Sequence, residues 1–384
     1  MRETFTPANA AQLRDIIALA ASVRLGLRVQ GHNSKSGLGT PVDAGQALDL
    51  SRLSGILSYQ PEELVLSAQA GTPMTEIMAA LRPHRQHLAF EPPDWGPLFG
   101  AVEGRGTIGG IIACNASGPR RFKAGAARDH FLGFSAINGR GENFKAGGQV
   151  VKNVTGYDLP KLLAGSHGTL AVLTEVTVKV LPAPMDAATL IIRDLTDRMA
   201  LQALRLAANS TLELSALAHL PAGMAGDRSQ TLFRLEGEIA SVTERSGRLK
   251  ILLQEFGVCE SLSANAAHAI WRRVRDADFF VQDAQPLWRI SIPASDAVVV
   301  AAGIGASRYY FDWAGGLIWL LCDDAVKVRA AVAPTGGHAT LFRATEEMRR
   351  SVAVFEPQTA PLMALEQRVR EAFDPLRIFN PCQI

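Results

Sequence analysis

Apolar positions recur along the chain with two periods. Leu13, Ile16, Ile17 and Ala20 fall three or four apart behind Asn9, a capping residue, which predicts a helix over 9–24. LRVQG (27–31) is a short strand running into a glycine turn. QALDLSRLSGI (46–56) and ELVLSAQAG (63–71) are strand-like with glycine punctuation. PMTEIMAALRPH (73–84) predicts a helix with Pro73 in its first turn and Ile77, Met78 and Leu81 on one face. LAVLTEVTVKVLP (170–182) is a valine- and threonine-rich strand closed by Pro182.

Beyond the PAP tripeptide at 182–184 the texture changes, and a domain boundary is expected there. TLIIRDL (189–195) is a strand, TDRMALQALRLAAN (196–209) an amphipathic helix, and LELSALAHL and TLFRLEGEI two more strands ahead of a helix over 241–256. A second round begins at LWRISIP (287–293) and continues through RYYFDWAGGLIWLLC (308–322), expected as core strand, to HATLFRA (338–344). Two such rounds predict an α+β sheet with helices on one face. The expected division is therefore 1–183 and 184–384, with a tail over 373–384 that follows a last helix.

Between 104 and 118, and again between 139 and 169, glycine is dense and turn follows turn. Gly104, Gly106 and Gly109 spell G-x-G-x-x-G. A Rossmann turn would need a buried strand before these glycines and a helix opening within them. EPPDWGPLFGAVEG is a poor strand, and Asn115, Ser117, Gly118 and Pro119 should break a helix at once, so that reading is set aside. RVQGHNSKSGLG (28–39) has another logic. Glycine lets consecutive N–H groups face one point, with Ser34 and Lys35 adding a hydroxyl and a cation, which suits an anion. AGSHGTL (164–170) is a third such loop.

Composition narrows the classes. The 384 residues are 47% hydrophobic and 20% charged, ample for two domains. A net charge of +2 without a basic tract argues against nucleic acid. No apolar run approaches a membrane span and no signal-peptide pattern opens the chain, so the expected location is the cytoplasm, with attachment to a membrane only through partners. Cys114, Cys259, Cys322 and Cys382 stand alone, a spacing that encodes neither a zinc nor an iron–sulfur site, and no metal is expected.

Taken in order, RVQGHNSKSGLG, AQAGTPMTEIMAAL, AFEPPDWG, GTIGGIIACNASGPRR, GQVVKNVTGYDLPKLLAGSHGTLAVLTEVTVKVLP and FDPLRIFNP resemble the FAD domain of the vanillyl-alcohol oxidase type, also called PCMH. AFEPP, ACNASGPRR with AARDH, and GGQVVKNVTGYD resemble the FAD-binding accessory subunits of bacterial glycolate oxidase, and LWRISIP and GGHATLFR extend the likeness. The resemblance implies a PCMH-type FAD-binding domain with a smaller α+β cap domain and a tail returning to the FAD site. It implies that Gly31, His32, Asn33, Ser34 and Lys35 cradle the pyrophosphate, with Gly71 and Thr72 beside the cofactor. Gly106, Thr107, Gly109, Gly110, Asn115 and Gly118 would line the other side. Glu175 and Val176 would hold the adenine through main-chain groups, and Asn380 would come back towards the flavin. Noncovalent FAD is implied, because His32 replaces a family glycine and Asn33 takes the position from which some members attach the cofactor. Valine at Gly109 or Gly110 should then expel FAD from a folded chain.

The implied function is support of glycolate oxidation to glyoxylate beside a second flavoprotein subunit and an iron–sulfur subunit. The alternatives are a self-sufficient dehydrogenase of another small 2-hydroxy acid, such as D-lactate, or a non-redox assembly subunit. Oxidation of a hydroxy acid needs a base and a carboxylate-holding cation. His338, Arg343, Arg289, Lys152 and Tyr157 are the lone candidates; His338 and Arg343, five apart, would point to opposite faces of a strand. The H-x-G-D-G-N-x-H-type stretch of catalytic relatives is absent, which puts independent turnover in doubt. Arg120, Arg121, Lys123 and Arg128 are expected on a solvated face, on a docking surface for a partner or as part of the flavin's electrostatic wall.

Overall fold

The computed structural model describes residues 4–43, 45–148 and 156–381. The chain divides into two compact units. The first comprises Met1–Ala116, Ala126–Pro182 and Pro357–Ile384; the second comprises Ser117–Gly125 and Ala183–Glu356. The units are thus not contiguous in sequence. A nine-residue piece within the expected first domain joins the second unit, and the last helix, Ala360–Phe373, belongs with the first.

In the first unit, Asn9 caps the helix Ala10–Val23 by accepting from the Gln12 N–H, and Arg24 in the left-handed region ends it. That helix buries Leu13, Ile17 and Ala20 against Leu27, Leu48, Ile137, Val172 and Phe379. A parallel three-stranded sheet runs Thr4–Phe5, Gln46–Asp49, Leu27–Gln30. An antiparallel five-stranded sheet has the order Ile56–Gln60, Val65–Gln69, Ala171–Lys179, Phe131–Asn138, Asn143–Gly147. Its central strand, Ala171–Lys179, buries Val172, Val176 and Val178 completely, each contributing about 1.5–3 kcal/mol.

Two elements here depart from expectation. Phe131–Asn138 is a strand buried on both faces between the two glycine-dense stretches. Ile108–Ala113 is a helix where immediate breakage was expected. Thr107 caps it, Ile108, Ile111 and Ile112 are buried, and only at Asn115, with φ 46°, does the chain turn away. No strand precedes it, so it is not a Rossmann helix.

The second unit is built on an antiparallel eight-stranded sheet: Glu260–Ser261, Asp186–Arg193, Gln230–Gly237, Ala216–Leu220, Tyr309–Asp312, Leu317–Leu321, Leu287–Ser291, His338–Arg343. One face carries Leu190, Phe233, Trp288, Ile290, Phe311 and Ile318 and is covered by helices Asp197–Ala208, Ile239–Leu252, Ala297–Ile304 and Ala325–Val332. The expectation of helices on one face needs correction. Ala264–Asp276 packs on the opposite face, where Trp271 Nε1 donates to Thr189 Oγ1 at 3.0 Å and Tyr310 donates to the Val274 carbonyl at 2.8 Å. Tyr310, Phe311 and Trp319 are buried strand residues.

Candidate functional site

A cleft opens in the first unit where the three glycine-rich segments meet. Gly31 follows the strand Leu27–Gln30; Thr107, Gly109 and Gly110 begin the short helix; Ser166, His167 and Gly168 come from the third loop; all line this one cleft. Their convergence is tight. A Cβ placed on Gly31 would lie 2.7 Å from Thr107 Oγ1, and one on Gly110 would lie 3.1 Å from the same oxygen and 3.6 Å from Lys35 Nζ.

The first loop has the character of an anion cradle. Among the described residues, none of the main-chain N–H groups from Gly31 to Lys35 has a protein acceptor. Asn33 takes the left-handed conformation at φ 55°, a backbone turn of the kind from which anion-binding nests are built. Ser34 is buried and accepts from Lys35 Nζ at 3.4 Å. Gln30 Oε1 lines the cleft region buried and without a hydrogen-bond partner. Burial, and then the Lys35 charge, pull the His167 imidazole down to about 4, so it is neutral at pH 7. Cys114 is pushed up by burial, although Lys35 opposes this, so its thiol stays protonated. Gly31 lines the cleft, and the loop that follows it carries N–H donors without a protein acceptor; with the orphaned Gln30 amide oxygen and the Lys35 cation near Gly110, they suit the pyrophosphate and polar edges of FAD.

Other expected residues have structural duties. Gly71 has no room for a Cβ because the Leu50 and Leu53 carbonyls press on it, and its N–H donates to the Leu53 carbonyl. Thr72 is fully buried; its hydroxyl donates to the Gln69 carbonyl at 2.7 Å and accepts from the Gly55 N–H at 2.9 Å. The Gly106 carbonyl accepts from the Met74 N–H. Gly109 donates to the Ala70 carbonyl, and a Cβ there would meet that oxygen at 2.7 Å. Asn115 Oδ1 accepts from the Arg128 N–H. Glu175 and Val176 lie in the central strand, paired on both edges, with the Glu175 carboxylate accepting from Ser135; Ala171 and Leu173 are the residues of that strand that reach the cleft. Gly118 belongs to the second unit, where its carbonyl accepts from Trp313 Nε1 at 3.1 Å. His32 is half-buried beside Gly31.

Asn380 supports the cleft from behind. It is 3% exposed; its Oδ1 accepts from the Val29 N–H and its Nδ2 donates to the His167 carbonyl, both at 2.8 Å. It thereby ties the tail to two walls of the cleft. Gln30, Ser166, His167 and Gly168 were not singled out as site residues. The third glycine loop carried the signal for the last three, and Gln30, at the end of a strand, carried none.

Of the expected catalytic candidates, His338 and Arg289 lie near each other on adjacent strands of the second unit, and Arg343 is turned away from them. Arg343 directs its guanidinium to the Phe280, Asp283 and Gln285 carbonyls at 2.7, 2.5 and 3.2 Å, clamping a turn. His338 starts the edge strand and is exposed, its imidazole lowered by desolvation and by Arg289. Tyr157 is 93% exposed, and Lys152 lies outside the described residues. The basic run divides instead of forming one solvated face. Arg120 pairs with Glu236, with its Nε donating to Glu236 Oε2 at 2.9 Å; Arg121 lies against Trp313; Lys123 pairs with Glu213; and Arg128 sits in the first unit near Asp129.

The FAD binding domain family matches residues 2–147. Glycolate oxidase subunit GlcE of Escherichia coli (strain K12) is 35% identical over 364 residues, covering 94% of this chain and 93% of that protein. D-lactate dehydrogenase of Anaerostipes hadrus is 36% identical over 151 residues, 39% of this chain and 30% of that protein. Among solved structures, p-cresol methylhydroxylase with substrate bound superposes with a TM-score of 0.70 at 13% identity over 99% of this chain and 88% of that one. Alkyldihydroxyacetonephosphate synthase superposes with a TM-score of 0.70 at 14% identity over 98% and 76%. These two structures bear out the α+β, PCMH-type fold. With the likeness to GlcE, the class is that of FAD-binding oxidoreductases. Within it, the chain belongs to the family of the glycolate oxidase subunit GlcE.

Proposed function

We propose that this chain is the FAD-binding subunit of a glycolate-oxidising complex, converting glycolate to glyoxylate together with a second flavoprotein subunit and passing electrons to an iron–sulfur partner. The likeness to GlcE along nearly the whole chain supports this reading. The single observation that carries the cofactor part is the meeting of Gly31, Gly110 and Gly168, from three distant segments, at one cleft. Bound FAD supplies the two-electron acceptor that oxidation of an alcohol carbon requires. The Gly31–Lys35 main chain holds the pyrophosphate through its N–H groups, and Lys35 neutralises part of its charge. Thr107 and Gly110 keep the opposite wall free of side-chain bulk. Neutral His167 adds a polar ring without adding a second cation next to Lys35. Noncovalent attachment follows from Asn33, an amide with no nucleophilic ring nitrogen, at the tip of the loop.

Among the described residues no helix is long and apolar enough to cross a membrane. The proposed complex works in the cytoplasm, meeting a membrane through its partners. Purified alone, the chain should be yellow with one FAD per molecule, and glycolate should bleach it anaerobically only when the partner subunits are co-purified. Full bleaching of the lone chain by glycolate or D-lactate would instead make it a self-sufficient dehydrogenase. A colourless chain that gains no flavin absorbance with added FAD would make it an assembly subunit.

A further inference from the structure

We propose that Arg289, with Arg121 beside it and the Trp313 ring as a wall, forms a binding site for a small carboxylate on the second unit. Arg289 lies on Leu287–Ser291, on the sheet face opposite the four-helix layer, with Trp319 directly across on the next strand. Its guanidinium sits 5.0 Å from the centre of the Trp313 ring and 5.8 Å from that of Trp319. Its Nε is buried without a hydrogen-bond partner, and among the described residues no carboxylate pairs with it. Neighbouring arginines behave otherwise. Arg329 and Arg343 direct their forks to main-chain carbonyls, and Arg245 bonds the Leu212 and Glu236 carbonyls.

A second cation is brought to the same ring. Arg121 lies 4.4 Å from the Trp313 centre. It is carried by the Ser117–Gly125 segment, which the Arg120–Glu236 ion pair and the Trp313–Gly118 hydrogen bond anchor to this unit. Trp313 and Ala314 hold φ of 51° and 55° in the turn between two strands, two consecutive non-glycine residues in the left-handed region. Such strain concentrates where a side chain must be held in place for a purpose. Asp312, the acid of this cluster, is buried and already accepts from the Trp313 N–H at 2.7 Å. Burial and the Arg121 charge bring Arg289 down to about 10, still protonated at neutral pH. Arg289 thus presents a protonated guanidinium fork that lacks the planar, two-oxygen anion it matches. Flat indole walls favour a small organic carboxylate over a bulky, strongly hydrated polyanion.

Only the identity of that carboxylate, a 2-hydroxy acid, rests on the reading of function above. Calorimetric titration of the flavin-containing protein with glycolate, acetate and glycolamide tests the site. Both acids should bind saturably, and the amide at least tenfold more weakly. Arg289→Met should weaken glycolate at least tenfold, and Arg289→Lys, which keeps the charge and loses the fork, by an intermediate factor. Arg121→Met, a change outside the strand, should weaken it several-fold and serves where the Arg289 variants fail to fold. Equal binding of glycolamide, unchanged affinity in folded Arg289→Met or Arg121→Met, or no binding of either acid to the parent protein would overturn the site. Flavin absorbance recorded on the same samples separates these outcomes from loss of the cofactor: a colourless protein that still binds glycolate through Arg289 would refute the FAD reading and leave this one standing.

Discussion

Gly109 and Gly110 are adjacent in sequence, yet their substitution should fail in different ways. A Cβ on Gly109 points into the end of the Val65–Gln69 segment, 2.7 Å from the Ala70 carbonyl oxygen and 2.8 Å from the Ala70 Cβ. Backbone cannot move aside as a flexible side chain can, so Gly109→Ala should destabilise the first unit by about 1–3 kcal/mol, as overpacking does. A Cβ on Gly110 meets Thr107 Oγ1 at 3.1 Å and the far end of Lys35 at 3.6 Å, both on the cleft side. In the apoprotein that contact relaxes by a few tenths of an ångström, and replacing a helical glycine returns up to about 1 kcal/mol of helix propensity. Gly110→Ala should thus leave the apoprotein near parental stability, while Gly110→Val places two further methyl groups in the cradle. If FAD meets the same about 1–3 kcal/mol of overpacking there, its dissociation constant rises about 5- to 150-fold. Urea melts of flavin-free protein measure the first effect, and quenching of flavin fluorescence on titration measures the second. Parental FAD affinity in Gly110→Val, or equal loss of apoprotein stability in the two alanine variants, would refute the assignment of one glycine to packing and the other to the cofactor.

Asn380→Ala should lower the apoprotein's stability by about 2–3 kcal/mol, because the buried Val29 N–H and His167 carbonyl lose their partner together; Asn380→Asp, which still accepts from Val29, should fall between, and a melt unchanged in both would show that the tail does not brace the cleft. Burial alone would raise Glu236, but hydrogen bonding to Arg120 and the charges of Arg234 and Arg120 bring it from 4.5 to about 2. Its folded value is depressed, so its contribution, at most about 3 kcal/mol, is complete above pH 4.5 and is lost as pH falls towards 2. Glu236→Gln should be less stable at pH 7 and lose less than the parent across that window in acid-dependent urea melts; parallel curves would count against the pairing. Arg343→Lys should lower the melting temperature by loosening the Phe280–Gln285 turn while leaving flavin reduction per folded molecule of the assembled complex unchanged, and a selective loss of rate would return Arg343 to the catalytic candidates.

The elements visible in the sequence are those whose burial is one-sided. Ala10–Val23 and Asp197–Ala208 each bury one stripe and expose the rest, and their apolar spacing predicts them within two residues. Phe131–Asn138 is buried on both faces, so it lacks alternation, and Gly133 inside it reads as a turn when it in fact admits the close approach of Ala146 on the next strand and Gly148 just past its end. Ala264–Asp276 has a Ser263 cap but buries only Trp271 and Val274 among alanines and arginines, so its apolar stripe is thin. Arg121 shows the other limit. Its neighbours in sequence belong to a basic run, whereas its neighbours in space are Trp313 and Arg289, more than 160 residues away, and no local pattern encodes that.

The glycine loops show why a motif is weaker evidence than the space around it. In GTIGG and its companions, glycine stands for three separate requirements. At Gly71 and Gly109 it lets two backbones touch, and at Gly31 it makes room for the Thr107 side chain; at Gly168, with φ 71°, it permits a left-handed bend; at Gly110 it keeps a wall free of side chain where Thr107 and Lys35 come no closer than 3.1 Å. Only the last requirement speaks of a ligand. The first two would persist in a protein that had lost its cofactor, since the fold itself needs them. An inactive relative should therefore tolerate bulk first at Gly110 and last at Gly71 and Gly109. The coexistence here of small residues at the cleft positions with five undirected N–H groups in the facing loop is what ties this chain to a bound nucleotide rather than to a fold retained without one.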